Sequence, residues 1–443
     1  MGAGGGDRRV TTTLDAQFAS RIAAAVAPGP ELELRHAALA RFKAQGFPTR
    51  RQEEWKYTDL KPIAEGAFDL APAAPDEARH AAAAERIAAA VPALGGPRLV
   101  FVDGHLVPEL SSPAAELPVV LEPLAEHPEG TGVLAADAGE AHVLAALNAA
   151  FMLRGSYLRV PPGTRVDAPL AMIFVAGPAS GVAPQPRVRI DLAANAELTV
   201  VQQFVDAGDP ASWVNLVTET RQAAGSRLRL YRLQEHGAAQ CHTSLLDARL
   251  ERDARLSAVY VDLGGRLVRN DLDIKLDEPG AEAEIEGLFF AQSGQHIDDH
   301  LHVDHRAPHT RSIASFRGIA AAKGRGVFNG KVIVREGAQQ IDARQSSDNL
   351  VLDRSAEIDT KPELEIYADD VKCAHGATVG ELDEKQLFYL RARGVAEDAA
   401  RALLTFAFAN RVIERIGLTS LRDHVARRVA RFLPNHDRWE RLV

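Results

Sequence analysis

The chain has 443 residues, 46% apolar and 25% charged, which is room for two or three domains with a large core and excludes wholesale disorder. Fifty-one Lys and Arg against sixty Asp and Glu leave a net charge of −9, which argues against a surface that coats nucleic acid or anionic lipid. Two cysteines, Cys241 and Cys373, exclude a disulfide scaffold, and alone they cannot supply the full set of thiolates that ordinarily holds an iron–sulfur cluster.

The opening Met1-Gly-Ala-Gly-Gly-Gly-Asp-Arg-Arg9 lacks the apolar centre of a signal peptide and reads as a floppy leader. No run approaches the roughly 18 apolar residues of a membrane-spanning helix. A cytoplasmic chain with no membrane partner is the expectation. Residues 1–155 form an N-terminal helical region. Ala81–Val91 is a strong helix former stopped near Pro92. Arg98–Gly104 follows as a short buried strand entering a turn, and Ala141–Leu153 as a second helix capped at Gly155.

Residues 156–383 change texture to short apolar/polar alternations such as Leu228-Arg-Leu230-Tyr-Arg-Leu233, which predict strand after strand. Small residues opening a strand recur at Ala196, Ser226, Ala254, Ala281, Thr310 and Ala338, 27–30 residues apart. That spacing suits a solenoid whose coils bury their inner faces on one another. A sandwich or barrel with coincidental spacing is the alternative.

Residues 384–443 turn helical again. Leu404, Phe408, Val412 and Ile416 form an i, i+4 stripe widened by Leu403 and Ile413, and a second helix runs from Ser420 to Leu433 before Pro434. From Arg391 onward there are eleven Arg and no Lys against six acidic residues, +5 against −14 for the rest. Aromatics are not interleaved with these arginines, so a solvated helix face or a dock for an acidic protein partner fits better than RNA, and the stripe is the candidate docking surface.

Two segments could carry chemistry. In Gln295-His-Ile-Asp-Asp-His-Leu-His-Val-Asp-His305, strand alternation puts His300, His302 and Asp304 on one face and Asp299 and His305 on the other. His300, His302 and His305 are metal candidates. The competing reading is a ladder of polar side chains between coils. In Val371-Lys-Cys373-Ala-His375-Gly376, Cys373 and His375 share a face about 7 Å apart along a strand. They make half of a soft-metal or iron–sulfur site, a nucleophile–base pair, or a buried thiol beside a satisfied histidine. Cys241-His242 points two ways and reads as structural. Phosphate-loop, G-x-S-x-G and H-E-x-x-H motifs are absent, so ATP use is assigned to a partner chain.

Asp342-Ala-Arg-Gln-Ser-Ser-Asp-Asn-Leu350 and its continuation to Gly380, with Gln386-Leu-Phe-Tyr-Leu-Arg-Ala-Arg-Gly394, resemble the SufB/SufD family of iron–sulfur cluster assembly proteins. Val327-Phe-Asn-Gly-Lys-Val332, the His296–His305 run, Leu147-Asn148 with Gly155, and Glu54-Trp-Lys-Tyr-Thr58 carry the likeness upstream. Lys372-Cys-Ala-His-Gly376 favours the SufD branch over the SufB branch.

The resemblance implies a mainly β fold, a right-handed parallel β-helix core between two helical regions. It implies a non-catalytic subunit working with a SufB-like sister and a SufC-like ATPase that grips the C-terminal helices. A homodimer stays open for the isolated chain. His375 is implied to face the sister, with Cys373 beside it and a transient iron–sulfur cluster forming at that interface; no cofactor is expected in the isolated chain. One thiol and one imidazole are too few donors for a closed site, which agrees. The rival readings are a polysaccharide-cleaving β-helix enzyme and a metal-binding protein built on the histidine run.

Overall fold

In the computed structural model, which describes residues 13–124, 142–209 and 211–434, the alternating zone coils into a parallel β-solenoid of about eight turns with helices at both ends. The leader and Ala141 lie outside the described residues. The strands begin with β1 (Arg98–Val102), β2 (His105–Leu106), β3 (Val120–Pro123), β4 (Ser156–Val160), β5 (Leu170–Ala176) and β6 (Arg187–Leu192). Next come β7 (Glu197–Asp206), β8 (Trp213–Gln222), β9 (Arg227–Gln234), β10 (Cys241–Leu250), β11 (Arg255–Asp262), β12 (Leu267–Leu276) and β13 (Glu282–Ala291). The last are β14 (His296–His305), β15 (Arg311–Ala320), β16 (Arg325–Val334), β17 (Ile341–Val351), β18 (Glu357–Ile366) and β19 (Val371–Gly380).

Successive strands alternate between two sheets. The odd sheet runs β19-β17-β15-β13-β11-β9-β7-β5-β1-β2 and the even sheet β18-β16-β14-β12-β10-β8-β6-β4-β3. Pairing is parallel except at the β1–β2 and β3–β4 ends. The solenoid therefore starts inside the N-terminal region, with β1 against β5, rather than at residue 156.

The repeat of small residues marks one corner. Ala196, Ser226, Ala254, Ala281 and Thr310 each directly precede an odd strand and are buried. Before each sits a residue with left-handed φ: Asn195, Gly225, Asp253, Gly280 and His309. Such φ values suit glycine and, among side chains, Asn, Asp and His. Turn chemistry and burial thus recur together in these five coils, while buried Ala338 stands three residues before β17.

Inward positions fill the lumen with one long apolar cluster, from Leu99 at the first coil to Ala343 near the last. Phe101, Phe174 and Phe204 stack at 4.8 Å, one ring per odd strand. Further along, Gly287 makes room for Phe316, whose ring carbons would lie 2.1–2.3 Å from a Cβ at that glycine.

Helices cover the outer faces. In the N-terminal region, α1 (Pro30–Gln45) and α3 (Val143–Phe151) pack with Trp213, Cys241 and Leu267 at the start of even strands. Helix α2 (Glu77–Ala90), N-capped by Asp76, lies over Val100, Ile173 and Val205 of the odd sheet. Asn148 in α3 donates to the carbonyls of Pro186 and Asn215 at 2.9 and 2.8 Å, tying the helix to the coil beneath. Gly155 has the left-handed φ its type favours, but it opens β4; α3 has already ended at Phe151.

At the other end α4 (Glu384–Ala392), α5 (Glu397–Ile413) and α6 (Thr419–Ala430) pack on the outer face of the odd sheet, over Tyr231, Val259, Leu288 and Ile319. This corrects the docking expectation for the stripe. Val412 and Ile416 are buried, and Leu404 and Phe408 are half-buried against the same cluster. The i, i+4 pattern records packing on this chain's own sheet, with Arg317 of β15 stacked 4.5 Å from the Phe408 ring centre. The large apolar side chains left outside are Phe388 and Tyr389 on α4 and Leu403 on α5.

Candidate functional site at the open end of the solenoid

Strands β18 and β19 are the outermost strands of their sheets, and among the described residues nothing pairs with their outer edges. Ile366, Tyr367 and Val379 are exposed on this last coil. A strand edge this long, flanked by apolar side chains, is a template for pairing with another chain.

Cys373 and His375 lie on β19. Val371 and Cys373 pack half-buried against the lumen cluster, so His375, two residues on, also points to the lumen side. It is exposed because no coil follows. In register below them sit Ala343 under Cys373 and Gln345 under His375. The floor here is polar: Gln345, Ser347 and Asn349 are all buried. Beneath the floor the Phe316 and Phe328 rings, 4.4 Å between centres, plug the lumen. The lumen side of the last strand thus carries a half-buried thiol and an exposed imidazole at the rim.

Burial pushes the Cys373 thiol up; a hydrogen bond from the Ala343 backbone partly offsets this, and nearby Asp342 adds to the rise. A metal binding here must displace that proton. Cys241, by contrast, is buried among N-terminal side chains, with its thiol pushed up to about 11.

The histidine run is dispersed. His300 is buried between Asp298 (3.1 Å), Glu54 (3.5 Å) and the Arg269 guanidinium (2.9 Å). Arg269 also stacks 4.3 Å from the Trp55 ring centre, and Thr58 bonds His296 and Asp298, so the 53–58 segment straps onto the even sheet. His302 bonds Asp273 at 2.9 Å, whose carboxylate also meets His142 and Lys275. His305 is buried with both ring nitrogens engaged, by Thr310 (2.7 Å) and Ser312 (2.8 Å). Among the described residues no three His, Cys, Asp or Glu side chains form a metal-holding group. His300, His302 and His305 are therefore corrected from metal candidates to parts of three separate hydrogen-bond networks.

Sequence reasoning missed a buried polar belt in mid-lumen. Arg232 lies 5.1 Å from both the Phe204 and Tyr260 ring centres and donates to Asp262 at 3.0 Å. Asn270 bridges Asp262 and Asp299, and burial beside Asp262 pushes the Asp299 carboxyl well up. The signal was present: the alternation that buries Leu228 and Leu230 places Arg232 inside too.

Compared with known proteins, residues 174–408 match the model of the SufBD core domain of the SUF iron–sulfur cluster assembly system, and residues 30–172 match the SufBD N-terminal region. Escherichia coli iron–sulfur cluster assembly protein SufD is 32% identical over 403 residues, covering 89% of this chain and 92% of that protein. The chain belongs to the SufBD family of iron–sulfur cluster assembly proteins. Within that family, a Synechocystis SufBD family protein is 31% identical, covering 86% of each chain. Protein ABCI7, chloroplastic, of Arabidopsis thaliana is 30% identical over 61% of this chain and 58% of that protein. Family membership and the parallel solenoid agree with the sequence reading, and no helix among the described residues is long and apolar enough to cross a membrane.

Proposed function

We propose that this SufBD family member is the SufD-type subunit of a SufBCD-type scaffold, non-catalytic itself, offering His375 and Cys373 to a cluster assembled against a SufB-type sister. The observation that carries the reading is the uncapped last coil, where two free strand edges frame an imidazole and a half-buried thiol. Pairing of those edges with another β-rich chain would cover Ile366, Tyr367 and Val379 and place a second set of donors opposite His375. Two donors leave a cluster incomplete, so the remaining ligands, including a fully ionised thiolate, come from the sister. The cluster is cargo, built at the rim and handed on.

A SufC-type ATPase docks on the C-terminal helices through α4, where Phe388 is 73% and Tyr389 55% exposed. Helix α4 begins at Glu384, four residues after β19 ends at Gly380. Force on α4 is thus applied to the strand that holds His375, which gives nucleotide-driven closure a short path to the rim.

The test is co-expression with SufB-type and SufC-type partners. With His375→Ala the three chains should co-purify while cluster absorbance is lost; unchanged cluster formation in that variant would remove the ligand role. Cys373→Ala should have the smaller effect, because a half-buried thiol also contributes packing.

A further inference from the structure

Asp262 and Asp299 share one amide in the middle of the lumen. Asn270 Nδ2 donates to Asp262 Oδ2 at 3.0 Å and to Asp299 Oδ1 at 2.7 Å. Ser244 donates to Asn270 Oδ1 at 2.8 Å, which fixes the sense of the amide, oxygen toward the hydroxyl and both N–H bonds toward the acids. All four side chains are buried.

The two acids are not equally served. Asp262 also accepts from the Arg232 guanidinium at 3.0 Å, and a second nitrogen of that guanidinium is committed to His242 at 2.6 Å. Among the described residues no hydrogen-bond donor reaches Asp299 Oδ2, which is buried. The strands beside Asp299 bring Asn270 from β12 and Phe328 from β16. Asp262 and Tyr260 of β11 and Arg232 of β9 face it more distantly, and Asp298, next along β14, lies on the other side of the sheet.

A carboxylate out of water needs donors or a counter-ion. Asp299 has one N–H for two oxygens, and the neighbour across that amide is itself an anion. An unpartnered hydroxyl costs less in this position than an unpartnered charge. We propose that Asp299 is held as the neutral acid in the folded chain, a latch joining β11, β12 and β14 that holds only while its proton is in place. Oδ1 is then the carbonyl oxygen that accepts from Asn270, and Oδ2 carries the hydrogen. Burial and the Asp262 charge both push the carboxyl in this direction. Loss of the proton would set two anions on a single amide.

The test is urea unfolding of the full chain and of Asp299→Asn, which mimics the neutral acid and does not titrate. Above about pH 3.9 an unfolded Asp299 gives up its proton while the folded one keeps it, so stability falls as pH rises. The wild-type unfolding constant, divided by that of the variant, should therefore climb about tenfold per pH unit between about pH 5 and 7. Groups that titrate in both chains, His305 among them, cancel in that ratio. Asp299→Ser serves if Asp299→Asn fails to fold. In infrared difference spectra at neutral pH the wild type should show a protonated carboxylic carbonyl band that the variant lacks. Raising the pH until that band vanishes should lower amide protection in β11, β12 and β14 of the wild type and leave the variant unmoved. A ratio that stays flat with pH, or no such band, overturns the neutral acid. Protection unchanged once the band has gone overturns the latch.

Discussion

Glu235, just past β9, accepts a hydrogen bond from the Arg428 guanidinium of α6, so one buried carboxylate joins the solenoid to its C-terminal helices. His424 of the same helix adds a contact at 3.1 Å, and Gln203 donates at 2.7 Å while also reaching the Ala90 carbonyl at the end of α2. Helices from opposite ends of the chain therefore meet through a single acid. Burial alone would raise its pKa, but His424 and Arg428 hold it below the usual range.

Glu235→Ala should lower stability by about 2–3 kcal/mol, less than a fully buried pair because Arg428 keeps part of its surface in water. Urea unfolding measures the loss. Amide exchange should rise in α6 before it rises in β9; equal protection in both would show that the contact is not what holds the helix.

His305 should make the fold acid-sensitive. Burial pushes its imidazole down to about 4, so the folded chain keeps it neutral where an unfolded chain is protonated. The unfolded state then binds more protons between about pH 6.5 and 4, and stability falls as pH drops through that window. A His305→Gln variant should show a flatter melting temperature over the same range, whatever its stability at neutral pH.

Gly287→Ala should cost about 1–3 kcal/mol by overpacking, since the added methyl meets the Phe316 ring. The same change at exposed Gly376, where nothing lies within 4 Å of a Cβ, should cost far less. Thermal unfolding of the two variants side by side decides it.

Phe388→Asp on α4 should leave the melting temperature nearly unchanged, because the ring is mostly in solvent, yet weaken capture of a SufC-type partner by about tenfold or more. Val412→Asp should do the reverse in order of cause, unfolding the C-terminal helices first, because Val412 is buried. A pull-down paired with a melting curve separates the two.

The coil pattern was legible because it is local: a left-handed turn residue, a buried small residue and an alternating strand repeat in five successive coils. Helices α2, α3, α5 and α6 were legible for the same reason, whereas α1 and α4 were not singled out. What the stripe on α5 faces was not, because periodicity shows that a helix has an apolar side and says nothing of whose surface covers it. The histidine run misled in a similar way. His300 and His302 lie two residues apart, but His300 meets Glu54, brought in from far upstream by tertiary folding, and His302 meets Asp273, which also holds His142. That Cys373 and His375 share a strand was legible, because it depends on local alternation alone.

Alternation of strands between the two sheets also governs how such a tube can change length. Loss of one strand would swap the sheet of every strand after it and carry the C-terminal helices to the opposite wall. Loss of a complete coil, 27–30 residues here, would only shorten the cylinder and return the same rim to the same bearing. Insertions and deletions in this architecture are thus quantised, and the rim's chemistry is indifferent to how many coils stand beneath it.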